Sequence, residues 1–229
     1  MKYVIANWKM KMSRDDVLDW AAKFKTEFSA LSEKDVSGVQ TILAPTALHL
    51  SDLQNSLKDL SKNASTKVNL ATQNVSADSK GSHTGEIGAF QVKDYCKYSI
   101  VGHSERAEAP ALVAAKRDKA LEHGITPIIC FTSPEQAEFF YKEGVILAWE
   151  DPQNISAGGE YKKAPIAKIK ETVTNMKNSL PKGAIVLYGG SVNKDNVSDL
   201  AAIEALDGVL VGQASLDPYH FLELVKSWN

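Results

Sequence analysis

Eight short apolar runs, rich in β-branched residues, recur along the chain: YVIA (3–6), VQTILA (39–44), VNLA (68–71), YSIV (98–101), TPIICF (126–131), VILAW (145–149), AIVLY (184–188) and GVLV (208–211). Each is nearly continuous in its hydrophobicity, the pattern of strands buried on both faces of a parallel sheet. The stretches between them are amphipathic. In 13–30, Val17, Leu18, Ala21, Phe24 and Phe28 fall at helical spacing. The opening SRDD supplies an N-cap serine and acids for the first turn. The same spacing predicts helices over 48–60, 110–122, 134–142, 164–179, 194–204 and 218–227. Only the connection 72–97 is long, and it should hold a short helix over 87–95.

Strands that alternate with helices belong to the parallel α/β class, either a closed (β/α)8 barrel or an open doubly wound sheet. No GxGxxG follows the first strand, which counts against a dinucleotide-binding sheet. Eight units in 229 residues suit the barrel. No Pro/Gly/Ser linker and no shift in composition divides the chain. The expectation is one (β/α)8 barrel domain over residues 1–229.

Composition narrows the partners. The net charge is −2, with 26 basic side chains scattered among 28 acidic ones. Without a basic stripe, a nucleic-acid partner is not expected. The apolar runs are too short to cross a bilayer, so no membrane association is expected. MKYVIANWKM lacks the long apolar core of a signal peptide and starts as a strand. A mature start at Met1 and a cytoplasmic location are the corresponding expectations. Cys96 and Cys130 form no CxxC pair and read as small core residues rather than a disulfide. No metal-ligand spacing such as HExxH occurs, and no metal is expected.

In a (β/α)8 barrel the polar groups that meet a ligand gather just beyond the carboxyl ends of the strands. Those positions hold Asn7, Trp8 and Lys9 after the first strand, and Gln73 and Asn74 after the third. The run HSER (103–106) follows the fourth, Glu150 the sixth, Gly189, Gly190 and Ser191 the seventh, and Gly212 and Gln213 the eighth. Glycine turns after strands seven and eight leave backbone N–H groups free to point at a phosphate. They can equally serve only to let the chain turn. Lys9 offers a cation to an anionic substrate and a developing enolate oxygen. Glu150, against apolar walls at the barrel mouth, suits a general base. His103 stands where a new helical turn starts, a setting that favours neutral imidazole as a hydrogen-bond donor to a carbonyl. Base, neutral electrophile, cation and phosphate grip together suggest proton abstraction beside a carbonyl in a small phosphorylated sugar.

Several of these segments, in order and over nearly the whole length, resemble the triosephosphate isomerase family: ANWKM (6–10), APTALHL (44–50), ATQNVS (71–76) with GSHTGEIGAF (81–90), VGHSER (101–106), YGGSV (188–192) and LVGQASL (210–216). That family is a standard example of a glutamate base beside a neutral histidine. The resemblance implies a TIM barrel that interconverts dihydroxyacetone phosphate and D-glyceraldehyde 3-phosphate in glycolysis and gluconeogenesis, with no cofactor. It implies that Glu150 moves a proton between adjacent carbons, that His103 shuttles hydrogen at the oxygens, and that Lys9 and Asn7 bind substrate and stabilise negative oxygen. Glu105 would anchor Lys9 and His103, and Ser104 would hold Glu150 in an open position. Ser156, Ser191, Gly212 and Gln213, with Gly190 in the same turn, would offer backbone N–H groups to phosphate, and Tyr188 would support the loop. Thr84, Gly85 and Glu86 match the loop through which family members form homodimers; a tetramer is the second expectation.

The sixth loop departs from the family. EDPQNISAGG (150–159) has Asp151 and Gln153 where a hinge proline and a tryptophan are usual. An aspartate leaves φ free where proline would fix it, so a looser hinge is expected, with turnover rising on Asp151→Pro. Gln213 replaces a glycine of the last phosphate loop, and Ala107 stands in place of a second arginine. The segment 131–144 lacks a longer two-helix excursion. A catalytically impaired relative that binds triose phosphates as a sensor or partner protein is the competing reading.

Overall fold

The computed structural model describes residues 1–60, 68–154 and 165–229. Its eight strands are β1 (Lys2–Asn7), β2 (Val39–Ala44), β3 (Val68–Thr72), β4 (Tyr98–Val101), β5 (Thr126–Phe131), β6 (Ile146–Trp149), β7 (Ile185–Tyr188) and β8 (Gly208–Val211). They pair in parallel in chain order, and β8 closes onto β1. The helices are α1 (Arg14–Ala30), α2 (Glu33–Val36), α3 (Leu50–Leu57), α4 (Ala89–Val92), α5 (Pro110–Glu122), α6 (Ala137–Phe140), α7 (Ile166–Ser179), α8 (Val197–Ala201) and α9 (Pro218–Lys226). This is the (β/α)8 barrel that the apolar pattern predicts.

The strand positions agree with the pattern to within a residue or two. Helix α1 starts with a reciprocal capping box: the Asp16 N–H donates to Ser13 Oγ, and the Ser13 N–H donates to the Asp16 carboxylate at 2.8 Å. Helices α5, α7 and α9 match their predicted spans to within a residue or two, whereas two others are shorter than expected. Over 134–142 a turn of 3-10 helix precedes the four residues of α6, and over 194–204 only α8 forms. The loss at α6 is compensated locally. Buried Arg117 donates to the carbonyls of Phe139 and Phe140 at 3.1 and 3.0 Å, and so satisfies carbonyls that a longer helix would have paired. The short helix α2 has no counterpart among the predicted elements; its Ser32–Asp35 capping box resembles the one at Ser13.

Two apolar layers follow from the alternation of side chains along each strand. Ile5, Ile42, Ala71, Ile100, Ile128, Cys130, Ile146, Ala148, Leu187 and Leu210 fill the barrel. Val4, Ala6, Leu43, Val101, Ile129, Leu147, Val186 and Val209 face outward into the layer under the helices. There Trp8 packs edge-on against Trp20, which stacks on Phe24, both at 4.7 Å between ring centres. The closing seam needs a glycine. Gly208 pairs with Tyr3 at φ +151°, and a Cβ there would stand 1.9 Å from the Tyr3 carbonyl oxygen.

Cys96 and Cys130 are both buried free thiols. Among the described residues no helix is long and apolar enough to cross a membrane.

Candidate active site

The strand period determines which residues crown the barrel. Ile5 points inward, so Asn7 does too; Ile146 and Ala148 point inward, so the next inward position is Glu150. The same step leads from Ala71 to Gln73, from Ile100 to Gly102, from Leu187 to Gly189 and from Leu210 to Gly212. A carboxylate, two amides and three glycines thus form one layer directly above the apolar core. The glycines leave space: a Cβ on Gly189 would lie 3.3 Å from Glu150 Cγ, and one on Gly212 would lie 4.0 Å from Lys9 Nζ.

Lys9 is held in the left-handed region at φ +52°, a conformation that costs a non-glycine residue energy unless its surroundings fix it. Gln73 does much of this fixing. Its amide donates to the Lys9 carbonyl at 2.8 Å and to the Ala44 carbonyl at 2.9 Å, while the Lys9 N–H donates to Asn7 Oδ1 at 3.1 Å. The Lys9 ammonium then reaches Glu105 Oε1 at 2.7 Å. Burial works against the ionisation of Glu105, but the Lys9 hydrogen bond and charge outweigh it and hold this carboxyl below its ordinary value.

His103 precedes a 3-10 turn, Ser104–Arg106, and is buried. Its Nδ1 accepts the backbone N–H of Glu105 at 3.2 Å. A nitrogen that accepts carries no proton, so the ring is neutral with its hydrogen on Nε2. Nε2 lies 3.3 Å from Glu150 Oε1. Glu150 is buried, and both of its oxygens are engaged by Ser104: the backbone N–H donates to Oε2 and the hydroxyl to Oε1, each at 2.9 Å. Beneath it, burial and then the Glu150 charge push the Cys130 thiol well above its ordinary value, so that thiol stays protonated. Gly102, at φ +74°, makes the turn into HSER; a Cβ there would meet Val113 at 2.8 Å and the Cys130 carbonyl at 3.0 Å.

The opposite side of the rim is made of backbone. Ser191 adopts φ +44°, and its carbonyl accepts the side-chain amides of Asn196 at 2.9 Å and Asn193 at 3.2 Å. Gly190 is required because the Tyr188 hydroxyl lies 2.5 Å from where its Cβ would stand. Burial, and next the Asp151 charge, raise that phenol above its ordinary value. Gly212 precedes the 3-10 turn Gln213–Ser215. The backbone N–H groups of Gly190, Ser191, Gly212 and Gln213 donate to no acceptor among the described residues. The Gln213 side chain turns away and accepts from Lys11.

The predicted residues at the strand ends fall on this rim or border it; Ser156 lies outside the described residues. Thr84, Gly85 and Glu86 are exposed. Gly85 and Glu86 line a hollow of about 410 Å³ shared with Lys9, Gln73, His103 and Glu105. Among the described residues no group of three or more His, Cys, Asp or Glu side chains is placed to hold a metal ion. The expectation of a looser hinge after Glu150 counted only the backbone freedom of Asp151, and the structure adds its side chain. Asp151 is buried, and its carboxylate accepts the Gln153 N–H at 3.0 Å and the Asn154 amide at 2.6 Å. This Asx turn restricts the chain much as a proline would. Asn154 was invisible to sequence reasoning, because DPQN reads as an ordinary turn until its burial is known.

A closed (β/α)8 barrel with its polar groups at the strand ends, a buried carboxylate facing neutral imidazole, and opposite N–H groups without an acceptor among the described residues is of the class that acts on small anionic substrates. Comparison with known proteins narrows this. The triosephosphate isomerase family model matches residues 2–228, and the chain belongs to that family. It is 31% identical to the triosephosphate isomerase of Mycoplasmopsis pulmonis, with 97% of this chain and 96% of that protein aligned. It is 33% identical to that of Thermus thermophilus, with 97% of each aligned, and 34% identical to that of Mycobacterium bovis, over 96% and 94%. The Thermus alignment spans 255 positions against the 229 residues of this chain.

Proposed function

We infer that the chain interconverts dihydroxyacetone phosphate and D-glyceraldehyde 3-phosphate, an intramolecular aldose–ketose isomerisation. In this reading the Glu150 carboxylate leaves Ser104 and removes a proton from the carbon beside the carbonyl. The His103 Nε2–H donates to the carbonyl oxygen as negative charge gathers there, and the Lys9 ammonium stabilises the same charge. The enediol(ate) then receives a proton from Glu150 on the neighbouring carbon, so the balance is a hydrogen moved between adjacent carbons and another moved between their oxygens. Asn7 orients the lysine and the substrate oxygens. Gly190, Ser191, Gly212 and Gln213 grip the phosphate through backbone N–H groups, with Ser156 proposed as a further donor. Tyr188 and Glu105 support these positions. All the groups used are side chains and amides of the chain, and the scheme draws on no cofactor.

The observation that carries this reading is the pairing of the buried Glu150 carboxylate with a His103 ring whose Nδ1 is capped by a backbone N–H. The test is a coupled assay in both directions on the wild type and on Glu150→Gln. The variant should lose turnover while still binding inorganic phosphate.

The proposal extends to assembly and location. Met10 and Leu48 are 92% and 86% exposed, and Met10, Gly85, Glu86 and Ile87 border the hollow beside Lys9. Such an apolar rim around a catalytic wall favours a homodimer in which the 72–97 loop of one copy packs against the other. A cytoplasmic place in glycolysis and gluconeogenesis accords with the family and with two unpaired cysteines.

A further inference from the structure

Within the four residues that follow the proposed base lies a hydrogen-bond chain that this reaction scheme does not use. The Asp151 carboxylate is 2% exposed and faces into the protein. It accepts the Gln153 N–H at 3.0 Å and the Asn154 side-chain amide at 2.6 Å, and the Asn154 N–H closes the turn onto the Asp151 carbonyl at 2.9 Å. The carbonyl of the same Asn154 accepts the Ser191 hydroxyl, and the Ser191 carbonyl in turn accepts from Asn193 and Asn196. Asn154 is itself 4% exposed and lies against Gly190, its Cβ 3.3 Å from where a glycine Cβ would stand. A buried carboxylate is expensive unless its hydrogen bonds are met, and here both oxygens are met by one short segment.

We propose that Asp151 and Asn154 are positioning residues that tie the backbone carrying Glu150 to the Ser191 phosphate turn. The inference rests on the isomerase reading. Glu150 comes directly before Asp151, so the turn fixes the direction in which the chain leaves β6. Ser191 ties the far end of that turn to the loop after β7. The backbone that carries the base is thus joined to the phosphate grip, and a bound substrate presents its reacting carbon at a set depth within reach of the carboxylate. Proton transfer falls steeply with a misplacement of about 1 Å, whereas phosphate affinity depends on the N–H groups alone. The lock should therefore act on turnover rather than on binding.

The interaction is directional, which supplies a test that a purely structural role would not pass. Asp151→Asn keeps size and the acceptor for the Gln153 N–H, but sets one amide NH2 against another. Asn154→Asp sets two carboxylates together. The double variant Asp151→Asn with Asn154→Asp restores a matched pair with donor and acceptor exchanged. Each single variant should lose kcat by about 10- to 100-fold, with the dissociation constant for inorganic phosphate changed less than threefold. The double variant should recover at least tenfold over the worse single one. Thermal melts identify a variant that fails to fold; Asp151→Ser, which keeps the Gln153 contact and loses the Asn154 one, then takes its place and should show the same loss of kcat. Unchanged kcat in the folded single variants, or losses that simply multiply in the double, would overturn the inference and leave the isomerase reading intact. An inactive wild type would overturn both.

Discussion

At the residue scale, the neutral state of His103 follows from one bond. Because the Glu105 N–H donates to Nδ1, the ring can give a proton from Nε2 and take one back. A glutamine in its place keeps an N–H donor of similar reach but cannot exchange a proton under these conditions. His103→Gln should lower kcat by about 10²- to 10⁴-fold, the usual share of a general acid–base group, with a small change in KM; single-turnover kinetics check it. Legibility in the sequence was uneven at this scale. Lys9, His103 and Glu150 could be placed because each abuts a strand end, where alternation decides which side chain faces the rim. The Gln73 clamp on the strained Lys9 backbone could be located but not given a task, since its two acceptors are carbonyls distant in sequence. Asp151 carries more than a freed φ: its carboxylate accepts from Gln153 and Asn154, contacts that depend on a burial the sequence does not display.

At the scale of elements, the strands were readable because each is apolar on both faces, and the short helices were not. The periodicity over 134–142 and 194–204 records which side chains are buried, and a turn of 3-10 helix followed by four or five helical residues buries them equally well. Between β4 and α5, the segment after HSER carries an ion cluster that reaches from exposed Arg106 to buried Lys116. Glu108 Oε1 receives Lys116 and Arg106, each at 2.6 Å, and the Lys116 ammonium also reaches Asn74 at 3.0 Å. Burial opposes the ionisation of Glu108, but the bonds from Lys116 and Arg106 hold its carboxyl below the ordinary value. A depressed carboxyl stabilises the fold above its unfolded pKa of about 4.3 and loses that contribution as pH falls through the folded value. Glu108→Gln should therefore destabilise the protein by about 3 kcal/mol near pH 7, because it leaves a buried lysine uncompensated. The difference from wild type should shrink as the solution is acidified below about pH 4. Urea denaturation at several pH values measures both.

At the scale of the whole molecule, the chain builds a complete barrel, and Met10, Gly85, Glu86 and Ile87 border the hollow beside Lys9. Light scattering is expected to give twice the chain mass at working concentration; an active monomer would remove the homodimer from the account, and a fourfold mass would point to the tetramer. The apolar pattern made the closed sheet legible. It did not reveal how base and phosphate turn are joined, because that link runs through side chains and carbonyls from two different loops. The measurement that bears most directly on the central claim is the coupled isomerase assay, run from dihydroxyacetone phosphate and from glyceraldehyde 3-phosphate on wild type and Glu150→Gln. Turnover in both directions is expected for the wild type. For the variant a loss of at least about 10²-fold in kcat is expected, with inorganic phosphate still competing for the site. A folded wild type that binds triose phosphate without converting it, or a Glu150→Gln variant with near-normal turnover, would contradict the central claim.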